Sequence, residues 1–179
     1  MNLEQGSNST ILMFMLAIKR GQKNGGFMSA DFILSLCNLI VLPGWMLLIV
    51  LPRWKFTLGL ICSGVIPFIL GLVYVGLFLS QLGNIPAGGG FGSLTEISIM
   101  FSNPYVLAAG WIHYLAFDLF VGAWEAYDSQ KNGLPHRFVI PCLVLTLMLG
   151  PAGLALYLGL RAIFIRKIEI YETFQAEVK

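Results

Sequence analysis

With 179 residues, 57% of them apolar and 11% charged, and a mean hydropathy of +0.79, the chain lies far below the roughly 25% charge of soluble domains. That excludes an ordinary soluble enzyme and reads as an integral membrane protein. The net charge of +2 sits on basic residues scattered beside apolar runs, which excludes a nucleic-acid-binding surface.

Residues 1–27 read as a poorly ordered N-terminal extension. Their apolar stretch "ILMFMLAI" is too short to span, since a span needs about 20 residues. Charges follow it rather than precede it, the reverse of a signal peptide. Residues 28–166 carry four apolar runs, near 32–51, 56–82, 104–130 and 138–165, and residues 167–179 form a polar tail. The turns "PRWK" and "KNGLPHR" are short enough to force antiparallel neighbours. The expected fold class is therefore all-α, a polytopic membrane protein with four transmembrane helices in two hairpins.

Between the hairpins, "AGGGFG" reads as a flexible linker, because glycine there costs too much backbone entropy for regular structure. It is no phosphate loop, since no Lys-Ser/Thr follows it. "SLTEISIMFSN" reads as a short interfacial helix, with Ser93 and Glu96 as its capping box. Asn103 is the expected N-cap and Pro104 the first turn of the third run. Cys37, Cys62 and Cys142 lie inside apolar runs at no zinc spacing and read as small core residues. Seven basic residues flank the side of the termini, Arg161 among them, against four on the other, or four against four counted from Met28, which slightly favours cytoplasmic termini.

The third run contains "HYLAFDLFVGAWEAYD", an apolar segment with a histidine and three carboxylates. At about 100° per residue, Trp111, Tyr114, Asp118, Gly122, Glu125 and Asp128 share one side of a helix. Ala109, Ala116 and Ala123 lie opposite. His113 falls on another face with Phe117, Phe120 and Trp124. A carboxylate near the bilayer centre costs about 2.5–3.5 kcal/mol, so such a residue has a role in chemistry or in a structural hydrogen bond. Asp118 sits deepest, Glu125 nearer the far interface, and Asp128 reads as a solvated helix end. Asp118, Glu125 and His113 are the candidate proton donors and acceptors. Trp111, Tyr114, Trp124, Asn38 and Trp45 are the candidate contacts for a long apolar ligand entering from the lipid, Asn38 as a polar partner from across the bundle. The spacing of His113, Asp118 and Glu125 matches no metal-ligand motif, and no metal or cofactor is expected.

The segments "LPGWMLLIVLPRW", "GGGFGSL", "NPYVLAAGWIHYLAFDLFVGAWEAYDSQKNGLPH" and "GPAGLALYLGLR" resemble the abscisic-acid-deficient-four family, small four-helix membrane proteins of plants, algae and bacteria. The resemblance covers about residues 30–162. It implies a role in xanthophyll metabolism, where plant members are needed to make neoxanthin from violaxanthin by a redox-neutral isomerisation. It carries over no established catalytic residue. The absence of a long transit peptide points to a bacterial inner membrane or a thylakoid. Two functions stay open: a carotenoid isomerase using intramembrane acid–base residues, or a non-catalytic carotenoid-binding or scaffold subunit. The expected partners are a hydrophobic isoprenoid or carotenoid, the lipid bilayer, and a second copy or other membrane proteins.

Overall fold

The computed structural model describes residues 28–165, which are all-helical with no strand. The expected extension at 1–27 and the tail at 167–179 lie outside the described residues. In chain order the elements are α1 (Ala30–Val50), a π-helical segment (Thr57–Cys62), α2 (Val65–Ser80), α3 (Leu94–Met100), α4 (Pro104–Lys131), α5 (His136–Leu149) and α6 (Pro151–Phe164).

Short polar stretches set the helix ends. Ser29 Oγ accepts the Phe32 N–H at 3.2 Å, and Asp31 sits in the positive first turn of α1. Beyond the other end of α1, the Leu51 carbonyl accepts the Thr57 hydroxyl at 2.7 Å and the Trp54 N–H at 3.1 Å, closing the "PRWK" turn. Ser93 caps α3 by accepting the Glu96 N–H at 3.2 Å. The Glu96 carboxylate returns the bond to Gly92, at 3.0 Å, so the capping box closes one residue upstream of its usual place. Asn103 Oδ1 accepts from Tyr105 and Val106 at 2.9 and 3.4 Å, with Pro104 opening α4.

The expectation of four membrane helices meets a different chain. Two of the four apolar runs are single helices long and apolar enough to cross a membrane, α1 with 21 residues and α4 with 28. The second run breaks at Gly64, whose φ is +79°, between the π-helical segment and α2. The fourth breaks at Gly150, φ +30°, where a side chain would be strained and where Pro151 starts a new helix. Each half of that run has 14 residues, about 21 Å of helix against a hydrocarbon core of about 30 Å. The halves fold back on each other. Phe138, near the start of α5, stacks on Phe164, at the end of α6, with ring centroids 5.2 Å apart. Gly153 lets the hairpin close, because a Cβ there would collide with Thr146 Oγ1 and with the backbone of Thr146 and Cys142. The run is an antiparallel helical hairpin rather than one continuous helix.

The chain separates into two compact units. The first joins the described residues up to Ile40 with Ile69–Leu115. Its buried residues include Leu70 and Leu77 of α2, Met100 of α3, and Val106, Ala109 and Ile112 of α4. The glycine-rich segment is held rather than loose: Gly90 N–H donates to the Glu96 carbonyl at 3.2 Å, and Asn103 Nδ2 donates to Gln81 Oε1 at 3.1 Å and Asn84 O at 3.2 Å. The second unit joins Val41–Phe68 with the described residues from Ala116. Trp45, Leu48, Ile61, Leu119, Val139, Leu143 and Tyr157 are buried there. Cys37 and Cys142 are buried and Cys62 is partly so.

Candidate functional site

The second unit holds an interior line of polar side chains. It starts from the α4 sequence, where carboxylates at positions 118, 125 and 128 fall on one helical side. All three are buried, Glu125 completely at 0% exposure. The α5–α6 hairpin brings polar partners to Glu125 and Asp128. Thr146 Oγ1 of α5 lies 3.0 and 3.2 Å from the two Glu125 oxygens. On α6, Arg161 Nε and Nη2 donate to Asp128 Oδ2 and Oδ1 at 2.8 and 3.4 Å, and the Tyr157 hydroxyl donates to Oδ2 at 2.6 Å. Asn132 Nδ2, one helical turn on, adds a bond to Oδ1 at 3.0 Å. Asp118 lies at the hairpin tip, so close to Gly150 that a Cβ there would be 2.5 Å from Oδ1.

Two expectations are corrected here. Asp128 is no solvated helix end: it is 7% exposed and paired with a 4% exposed Arg161. Arg161 in turn is not an interfacial flank. The reason is the fold-back of the fourth run, which returns the end of α6 to the level of Asp128 and lets two opposite charges satisfy each other in an apolar interior. Tyr157, Thr146 and Arg161 are polar residues of this cluster that sequence reasoning passed over. Their signal was available only as hydroxyl and guanidinium groups inside the fourth apolar run.

The other candidates divide between the units. Trp45 is buried, with its ring against Gly122, where an added Cβ would lie 2.6 Å from it. Trp124 is half-buried and meets Tyr157 edge-on at 5.3 Å between centroids. In the first unit His113 is exposed and its ring lies 5.2 Å from that of Tyr74. Trp111 is exposed and lies 5.5 Å from the Tyr114 ring. Asn38 Nδ2 donates to Leu34 O of its own helix at 3.0 Å. The structure thus gathers Asp118, Glu125, Trp45 and Trp124 in one unit and His113, Trp111, Tyr114 and Asn38 in the other. Among the described residues, no group of three or more His, Cys, Asp or Glu side chains is arranged to hold a metal ion.

Chemically, the second unit offers three carboxyl groups in different settings. Asp128 is saturated by a guanidinium, a phenol and an amide. Glu125 faces a hydroxyl. Asp118 stands beside the tip of a helical hairpin.

Comparison with known proteins gives one consistent answer. The family model described as ABA DEFICIENT 4-like matches residues 32–157. The chain is 29% identical over 140 residues to Protein ABA DEFICIENT 4, chloroplastic, from Arabidopsis thaliana. That alignment takes in 75% of this chain and 62% of the plant protein, so the chain spans less than two thirds of its relative's length. No solved structure matches it.

Proposed function

The chain belongs to the ABA DEFICIENT 4-like family, and on that premise we propose that it is an integral membrane protein of xanthophyll metabolism that isomerises an epoxy-carotenoid without net redox change. The observation that carries this reading is a buried carboxyl, Glu125, set against the Thr146 hydroxyl, with a second buried carboxyl, Asp118, two turns away on the same helix. Opening an epoxide to a hydroxyl and an allene moves two protons and no net electrons. One proton goes to the ring oxygen as the C–O bond breaks. Another leaves carbon as the new double bond forms. The chemistry needs an acid and a base, and carboxyl groups shielded from water serve both roles. Asp118 and Glu125 take these roles, with Trp45 and Trp124 against the apolar body of the ligand. His113, Trp111, Tyr114 and Asn38 are the corresponding candidates in the first unit.

The membrane part of the proposal is supported by α1. Beyond Asp31 and Ser35 in its first two turns, α1 exposes mostly large apolar side chains, among them Leu36, Leu39, Leu42, Met46 and Val50, which suit contact with lipid. The plant relative's name carries the word chloroplastic, and for this chain a thylakoid or a bacterial inner membrane is the proposed location.

The second reading, a carotenoid-binding or scaffold subunit, is favoured by a different observation. Asp128 and Glu125 both have partners inside the unit, as purely structural groups would. Expression in a violaxanthin-producing bacterium separates the two readings. A new isomer on chromatography with the native chain, absent with Asp118→Asn, supports the isomerase. Unchanged pigment that copurifies with the protein refutes it and supports binding.

A further inference from the structure

We propose that Thr146 is the positioning residue that lets Glu125 take up and release a proton inside the second unit. The inference rests on the acid–base reading of Glu125 and adds to it the group that makes the exchange possible.

Glu125 and Thr146 are both wholly buried. Among the described residues, Thr146 is the hydrogen-bond partner of the Glu125 carboxyl, and its Oγ1 is nearly equidistant from the two carboxyl oxygens at 3.0 and 3.2 Å. A hydroxyl carries one donor and two acceptor sites. Facing a carboxylate, Thr146 donates. Facing a carboxylic acid, it accepts, and its own proton can turn to the Cys142 carbonyl four residues back, the ordinary target of a helical threonine. Gly153 is the close neighbour of both Thr146 Oγ1 and Cys142 O, so these two atoms border the same small space. Neither state of Glu125 is then left without a partner.

Asp128, three residues along the same helix, is the opposite case. Its bonds from Arg161, Tyr157 and Asn132 all run from donor to carboxylate. A guanidinium has no acceptor and cannot give up its charge in a protein. Among the described residues, the titratable and charged groups around Glu125 are Asp118 and Asp128 on α4, Cys142 on α5, Tyr157 and Arg161 on α6, and Cys62 of the π-helical segment, whose thiol reaches Ala123 O at 3.8 Å.

The test is infrared spectroscopy of the full chain in detergent, following the carbonyl stretch of protonated carboxyl groups against pH. Glu125→Gln identifies the Glu125 band. In the native chain that band disappears as pH rises. In Thr146→Val, which keeps the shape and removes the hydroxyl, it persists through the same range. Thr146→Ser restores the native titration. A Thr146→Val band that titrates as in the native chain overturns the proposal, and so does a Thr146→Ser band that stays locked. Pigment turnover is read on the same variants. If the bands behave as expected and no pigment is isomerised, the isomerase reading fails while the role of Thr146 stands. If pigment is isomerised equally by Thr146→Val, with a native titration, the role of Thr146 fails and the isomerase reading stands.

Discussion

Removing the Arg161 guanidinium should destabilise the second unit far more than an exposed ion pair would. Arg161→Met keeps much of the side-chain volume and deletes the bonds at 2.8 and 3.4 Å to Asp128. Asp128 retains Tyr157 at 2.6 Å and Asn132 at 3.0 Å, but its charge is then uncompensated at 7% exposure. Breaking a buried pair from one side costs about 3–5 kcal/mol. The two remaining donors place the expected loss near the lower end, about 3 kcal/mol, or roughly a hundredfold in the folding equilibrium. Asp128→Asn should also destabilise the unit, by removing the carboxylate charge that faces the guanidinium. The double variant Asp128→Asn/Arg161→Met removes both charges together and should recover to within about 1–2 kcal/mol of the native chain. Unfolding in detergent by added denaturant, measured for all four proteins, gives the coupling directly. If the double variant loses the sum of the two single losses, the residues do not act as a buried pair and the reasoning is refuted.

Other consequences are open to direct measurement. Gly122→Ala should cost about 1–3 kcal/mol, because the new methyl would lie 2.6 Å from the buried Trp45 ring; a variant as stable as the native chain would contradict that packing. Asn103→Ala should cost about 1–2 kcal/mol by removing the α4 cap, and more than Asn103→Asp, which keeps the Oδ1 acceptor and loses only the bonds to Gln81 and Asn84. Single cysteines introduced at Arg137 and Ile163, both exposed, should react with impermeant thiol reagents from the same side of the membrane, since the ends of the fourth run meet at Phe138 and Phe164. Labelling from opposite sides would restore a full span there.

Much of this molecule is legible in its sequence, and the reasons are local. The caps at Ser93 and Asn103, the start of α4 at Pro104 and the helical class follow from residues within four positions of one another. The family is legible too, because its longest characteristic segment is one continuous block around α4. Helical periodicity put Asp118, Glu125 and Asp128 on one side of a helix; all three are buried, Asp128 against its reading as a solvated helix end.

What only the tertiary structure decided is the environment of those carboxyls. An apolar run of 28 residues reads as a span by length alone, and nothing local says that Gly150 and Pro151 will turn it back rather than bend it. Once it turns, Thr146 meets Glu125 across 21 positions of sequence, and Arg161 meets Asp128 across 33. A charge near the end of an apolar run looks the same in sequence whether it reaches water or an opposite charge. The choice depends on which partner the fold delivers, because an interior carboxylate is tolerable only with donors around it.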